Sequence, residues 1–265
     1  MQGALPASKD DLSIYFDHSG ASSRIIGGSV GETTPYMVAL TLGMRVRSLL
    51  CGASLVTPTH LLTAAHCIQN AFSTQTLSPS LVGYAGSANW FSVDNGIYFS
   101  RNISHPNYQP LPVLKNDIGF LVSRHVIGLS SSVGLVALNF DWVDAGVATT
   151  VSGWGRTSTG GSTSNILFTL NSQVINGEVC KRDVAVKAAE LELIDGLVVE
   201  SHIEVCTYHA AGQGTCTGDS GSPLMRADRN EQIGIVSWGI PCAVGAPDVF
   251  VRISSYRDWI AQSLA

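Results

Sequence analysis

Charge is scarce in this chain: only 13% of its 265 residues are Asp, Glu, Lys or Arg, and the formal net charge is −5. A basic patch of the kind that nucleic acid or an anionic membrane selects is therefore missing, and neither partner is expected. Long apolar runs are missing too. Stretches such as Leu61 to Ala65 and Ile233 to Val236 fall far short of the ~20 residues that cross a bilayer. Residues 1–11 lack the apolar run of a secretory signal, so either a signal has been removed or Met1 is an added start. No C-x-x-C pair occurs, which argues against a zinc site. The segment Ile68 to Gly86 holds no Asp or Glu, so a calcium site cannot be assembled from it. No metal and no cofactor are expected.

What is present is an even set of six cysteines, which suits a disulfide framework in an oxidising compartment but leaves the pairing open. From Tyr36 onward, short runs rich in Val, Ile, Leu and Thr alternate with Gly, Ser, Asn and Pro. They are Met37 to Leu42, Ser54 to Val56, Leu61 to Ala64, Ile118 to Val122, Thr149 to Ser152, Ile233 to Ser237 and Val249 to Ile253. Evenly spaced short strands with turn signals predict an all-β sandwich or barrel. One helix is expected at the C-terminus, with Ser254 or Ser255 capping it and Tyr256, Trp259, Ile260 and Leu264 on one face. A second helical stretch is expected over Lys187 to Ile194.

The most informative segment is Cys216-Thr217-Gly218-Asp219-Ser220-Gly221-Ser222-Pro223, which sets a serine among small residues directly after an acid. A serine hydroxyl is a weak nucleophile unless a base, itself held by a third group, activates it. The partners are His66 in Leu62-Thr63-Ala64-Ala65-His66-Cys67 and Asp117 in Asn116-Asp117-Ile118-Gly119. The order His, Asp, Ser separates chymotrypsin-type enzymes from subtilisins and α/β-hydrolases. On these three motifs the sequence resembles the trypsin/chymotrypsin family of serine endopeptidases, from Ile25 to the C-terminus, and in its pairing of Gly214 with Asp248 it resembles most the arthropod chymotrypsin-like and collagenolytic digestive proteases.

The resemblance implies two six-stranded antiparallel β-barrels with a C-terminal helix and the active site in the cleft between them. It pairs Cys51 with Cys67, Cys180 with Cys206, and Cys216 with Cys242. It makes residues 1–24 an activation peptide and 25–265 the catalytic domain. A trypsin-like protease would cut after Arg24, and the new ammonium group of Ile25 would pair with Asp219, since a buried carboxylate left alone costs several kcal/mol. The leader holds no cysteine, so it should leave after the cut. In the catalytic roles, Ser220 attacks, His66 moves the proton, Asp117 orients His66, and the N–H groups of Gly218 and Ser220 receive the oxyanion. Ser237 supports Asp117, and Ser237-Trp238-Gly239 pairs with an extended peptide. Protein or peptide substrates follow, with protein inhibitors of proteases as further partners and a secreted, extracellular location.

Specificity rests on the pocket of Gly214, Thr215, Gly239 and Asp248. Gly214 stands where trypsins carry an aspartate, which argues against ordinary trypsin specificity, and Gly239 leaves the mouth open. Phe, Tyr and Leu are the expected side chains before the cleaved bond. Asp248 adds acceptance of some Arg or Lys, or else it is tied up by a neighbouring backbone group. Ser222 departs from the glycine usual there in the family. Asn102-Ile103-Ser104 is a glycosylation sequon. Two other readings stay open: a protease of a regulatory cascade, and a non-catalytic storage or binding protein on the same fold.

Overall fold

The computed structural model describes residues 25–43, 45–110, 113–158, 160–193, 197–240 and 242–265. The expected activation segment 1–24, Arg24 included, and Ile194 lie outside the described residues.

The N-terminal half begins with β1 (Ser29–Val30), followed by β2 (Met37–Leu42), β3 (Ser48–Leu55) and β4 (His60–Thr63). After helix α1 (Ala65–Asn70) and the small ribbon of β5 (Phe72–Ser73) and β6 (Thr76–Leu77) come β7 (Leu81–Ala85), β8 (Ile97–Ser104) and β9 (Gly119–Ser123). Strands β2-β3-β4-β9-β8-β7 close into an antiparallel barrel. Closure removes every unpaired edge within the ring. Leu40, Leu61, Leu62, Phe120 and Leu121, on the two faces of its strands, belong to one buried cluster that Tyr256 and Ile260 from the C-terminus join.

The C-terminal half holds β10 (Ala137–Leu138), β11 (Ala148–Gly153), β12 (Phe168–Val174), α2 (Gly177–Glu190) and β13 (Glu204–Tyr208). It continues through β14 (Pro223–Arg226), β15 (Glu231–Gly239), β16 (Asp248–Arg252) and α3 (Arg257–Leu264). The order β12-β11-β14-β15-β16-β13 closes through pairing of β12 with β13, giving a second six-stranded antiparallel barrel. Strand β1 crosses over to pair with β12, and β10 adds the parallel exception against β15. Along β12 the buried residues Phe168, Leu170, Ser172 and Val174 alternate with more exposed ones, the period expected of a strand with one face on a core.

Several expected elements need new bounds. β3 starts at Ser48 rather than Ser54, and β15 reaches Gly239 rather than Ser237. The hydrogen-bonded ladder carries β3 back through Leu49, Leu50 and Cys51 and β15 on through Trp238, past where glycines interrupt the apolar runs. Polar residues hide β8, which carries Ser100, Arg101 and Asn102, and β12, which carries Asn171, Ser172 and Gln173. The helix expected over Lys187 to Ile194 meets α2 only at Lys187–Glu190, because α2 starts at Gly177 and ends at Glu190. Its N-cap is Asn176, whose Oδ1 accepts from the N–H groups of Glu178 and Val179. Only Cys180, Val184 and Ala188 are buried on it, a stripe one residue wide at every fourth position. At the C-terminus a 3-10 turn over Ile253–Tyr256 precedes α3, and no side chain caps that helix. The Ser255 hydroxyl, one of the two expected caps, donates instead to the carbonyl of His202.

All six cysteines are paired as the resemblance implied. Cys51–Cys67 ties β3 to α1 and Cys180–Cys206 ties α2 to β13. Cys216–Cys242 joins the Ser220 loop to the segment ahead of β16.

Candidate active site

His66 lies in the first turn of α1, where β4 ends, and Asp117 lies just ahead of β9. Pairing of β4 with β9, with Thr63 opposite Gly119, brings the two ends together. The Asp117 carboxylate is almost fully buried and takes three hydrogen bonds. Oδ1 accepts from the His66 backbone N–H at 2.8 Å, and Oδ2 from His66 Nδ1 at 2.7 Å and from Ser237 Oγ at 2.6 Å. Two of these donors come from the first barrel and one from the second. Because Nδ1 holds its proton against Asp117, Nε2 is left with a lone pair to accept another. Nε2 sits 3.6 Å from Cys67 Sγ, which as a disulfide sulfur has no proton to give.

Ser220 is carried by a loop of the second barrel that is bonded to the first. Its carbonyl accepts from Gly52 N at 2.8 Å, and the Gly52 carbonyl accepts from Thr63 Oγ1 at 2.8 Å. Gly218 and Gly221 take φ of +98° and +78°, a region that L side chains seldom adopt. A Cβ on Gly221 would lie 2.3 Å from Thr63 Oγ1, so the Ser220 loop runs directly against the strand end that leads to His66.

Asp219 is fully buried, and its carboxylate fits where Gly153 and Gly155 have no side chain. A Cβ at either position would come within 2.1 to 2.5 Å of its oxygens. It accepts from Gly155 N at 2.8 Å and Cys216 N at 3.0 Å. Burial raises its pKa to about 7 against the lowering effect of those two bonds, with the negative charge of Asp248 adding to the rise. Ile25 is buried in the core of the second barrel, and Ile26 bridges Gly214, so the expected activation residues that are described lie against this loop.

A narrow pocket opens beside Ser220, with Thr215, Ser237, Trp238, Gly239 and Asp248 on its walls. Gly214 packs behind Asp248, and a Cβ there would stand 3.2 Å from Oδ2. Asp248 is partly exposed and accepts from Thr215 N at 3.0 Å and Thr215 Oγ1 at 2.8 Å. Its pKa rises to about 6, because burial outweighs the bonds from Thr215. A Cβ added at Gly239 would meet nothing nearer than Asp248 Oδ1 at 3.8 Å, an ordinary van der Waals contact. Asn102 sits part-exposed on β8, away from this cleft. Among the described residues, one group could hold a metal by proximity: Cys51, His66 and Cys67. Its two sulfurs are bonded to each other and are not free to ligate.

Comparison with known proteins agrees with this arrangement. The family profile described as Trypsin matches residues 25–260. The chain belongs to the trypsin family. Among similar proteins, Chymotrypsin-2 of Vespa crabro is 32% identical over 241 residues, covering 90% of this chain and 99% of the wasp protein. Collagenase of Hypoderma lineatum is 34% identical over 253 residues, covering 91% and 87%. Trypsin V-A of Rattus norvegicus is 31% identical over 248 residues, covering 91% and 90%.

Against the family pattern, Ser222 is accommodated without strain, since it is not among the residues with positive φ. Room for it comes from Gly52, where a Cβ would stand 2.1 Å from Ser222 Oγ, and that hydroxyl is buried without a partner. Sequence reasoning missed Gly52, Gly153 and Gly155, which look like ordinary strand glycines until the side chains facing them are known. Gly52→Ala should lose about 1 to 3 kcal/mol by overpacking. Adding Ser222→Gly to it should recover at least half of that loss in urea unfolding. Strictly additive effects of the two substitutions would refute the pairing.

Proposed function

We propose that this trypsin-family chain is a secreted serine endopeptidase, made as a zymogen, that favours large apolar side chains before the cleaved bond. The observation that carries the reading is the hydrogen-bonded line Ser237–Asp117–His66, running from one barrel to the other beside the pocket that Ser220 borders.

In the proposed mechanism Ser220 Oγ bonds to the carbonyl carbon of the substrate while its proton passes to His66 Nε2. Asp117 stabilises the resulting imidazolium. The carbonyl electrons move onto oxygen, where the N–H groups of Gly218 and Ser220 receive the charge; each such donor lowers the barrier by about 3 to 4 kcal/mol. Collapse of this intermediate breaks the C–N bond, and the amine leaves with the proton from His66. Water, giving its proton to the same nitrogen, then repeats the sequence and frees the acid. The substrate would lie along β15 at Ser237–Gly239, whose backbone offers the edge that an extended peptide needs.

Three disulfides support export to an oxidising compartment. The Gly239 opening supports entry of Phe, Tyr or Leu. Asp248 already takes two bonds from Thr215, yet each carboxylate oxygen keeps a lone pair for a cationic substrate. The reading is therefore broad selectivity, with Arg and Lys accepted in second place.

Trypsin treatment should leave Ile25 as the new N-terminus and switch on hydrolysis of peptides with Phe, Tyr or Leu before the bond. Ser220→Ala should lower kcat by about 10⁶-fold in a folded protein. A correctly cut chain without activity would sink the enzyme reading. Asp248→Asn should lower cleavage after Arg about tenfold and leave cleavage after Phe unchanged. Equal losses on both would mean that Asp248 is only structural.

Activation should also change how stability depends on pH. In the uncut chain Asp219 has a folded pKa of about 7, above the ~3.9 of an unfolded aspartate. Between those values the native state holds a proton that the unfolded state has released, so stability falls as pH rises from about 4 to 7. Pairing with the Ile25 ammonium would remove that penalty. The Tm advantage of the cut over the uncut form should therefore grow across this range, and an advantage independent of pH would count against the Ile25–Asp219 pairing. Asp248 is common to both forms and enters the difference only through its charge coupling to Asp219.

A further inference from the structure

Behind the Trp238 wall of the pocket lies a buried ion pair that the proposed reaction does not use. Lys115, from the loop ahead of β9, places Nζ 2.8 and 2.9 Å from the two oxygens of Glu204, the first residue of β13. Both residues are under one-tenth exposed. Lys115 also donates to the carbonyl of Val198 at 2.6 Å. Glu204 Oε1 accepts in addition from the Trp238 indole N–H at 2.8 Å, and Oε2 from Glu200 N at 2.6 Å. The ammonium lies 5.3 Å over the Trp238 ring.

Burying two charges is expensive, and a pair of apolar residues commonly stabilises a fold as well or better. What an apolar pair lacks is direction. Here the direction matters, because Lys115 stands two residues before Asp117 and Trp238 directly follows Ser237, the second-barrel donor to Asp117. Between Lys115 and Asp117, Asn116 takes φ of +51° and is fixed by Tyr256 Oη on its Oδ1 and by its own Nδ2 on the carbonyl of Asn107. The chain is thereby turned so that Lys115 reaches the second barrel while Asp117 reaches His66.

We propose that Lys115 and Glu204 are positioning residues that hold the two barrels in register at the Ser237–Asp117 bond and fix the Trp238 ring against the bound peptide. This rests on the reading of β15 as the peptide-binding strand. Neither residue is expected to touch the reacting atoms.

The test uses the cut, full-length catalytic chain and counts active sites by titration, so that misfolded protein is excluded. Lys115→Met and Glu204→Gln remove the charge pair, and the double variant Lys115→Met/Glu204→Met replaces it with apolar side chains that should restore stability. Expected for all three is a fall of about tenfold or more in kcat/KM per active site on a peptide amide extending several residues before the bond. For the same variants, hydrolysis of a single-residue ester, which does not reach along β15, should fall less than threefold. A stable double variant with wild-type kinetics on both substrates would overturn the proposal, as would equal losses on both.

Hydrogen exchange of the Trp238 indole N–H, read by NMR in the same proteins, gives an answer that does not need turnover. Loss of protection in Lys115→Met is expected. If the unaltered chain hydrolyses neither substrate, the function proposed above fails on its own, and an indole as protected in Lys115→Met as in the unaltered chain then overturns this inference.

Discussion

A single buried carboxylate sets the relation between the two halves of the molecule. Asp117 is nearly without solvent, and a charge in that position costs several kcal/mol unless donors replace the lost water. The first barrel supplies two of them from His66, and the third comes from Ser237 on the second. Neither barrel satisfies Asp117 by itself, so packing the barrels and completing the site are one event. The bonds between Gly52 and Ser220 and between Thr63 and Gly52 fix the same junction a short distance away, which is how Ser220 comes to lie against the strand end leading to His66.

A second pair of acids, Asp219 in the Ser220 loop and Asp248 at the start of β16, follows a similar logic. Consecutive amides, those of Thr215 and Cys216, donate to Asp248 and Asp219 in turn. One carboxylate faces the pocket and the other faces the buried side of the nucleophile loop, and the charge of Asp248 is among the causes that raise the pKa of Asp219. A cation brought to either carboxylate weakens the repulsion felt by the other. Pocket chemistry and the state of the nucleophile loop are therefore joined electrostatically through two adjacent peptide units, in addition to the Cys216–Cys242 bond that closes the loop.

The barrels were legible as short strands because β2, β4, β9 and β16 are apolar on both faces, packed between a barrel core and its surroundings. Strands such as β8 and β12 were not, since half of their residues face solvent and the ladder that makes them strands is long-range. At the site, the triad residues stood out because their types and order carry chemistry. Gly153, Gly155 and Gly52 did not, because a glycine chosen for what faces it gives no sign of that neighbour in sequence. Lys115 and Glu204 were equally silent: each reads as a surface charge beside an apolar run, and only the fold brings together residues 89 positions apart.

The placement of polar groups explains why such pairs gather at the junction. Apolar packing fills each barrel and, through Ile235 and Val251, also crosses between them, where it rewards volume and is indifferent to direction. Between the barrels, the contacts with angular demands accumulate: Asp117 with Ser237, Lys115 with Glu204, Ser220 with Gly52, and the buried Ser54 Oγ on Gln232 Oε1 at 2.7 Å. A slide of one barrel over the other by an ångström or two would cost the apolar clusters little, but it would leave several buried polar atoms without partners at about 1 to 3 kcal/mol each. Hydrogen bonds at this junction thus convert a tolerant interface into one with a single alignment. The proposed chemistry, shared between residues of two barrels, requires that alignment, because a base on one and a nucleophile on the other work only within a fraction of an ångström.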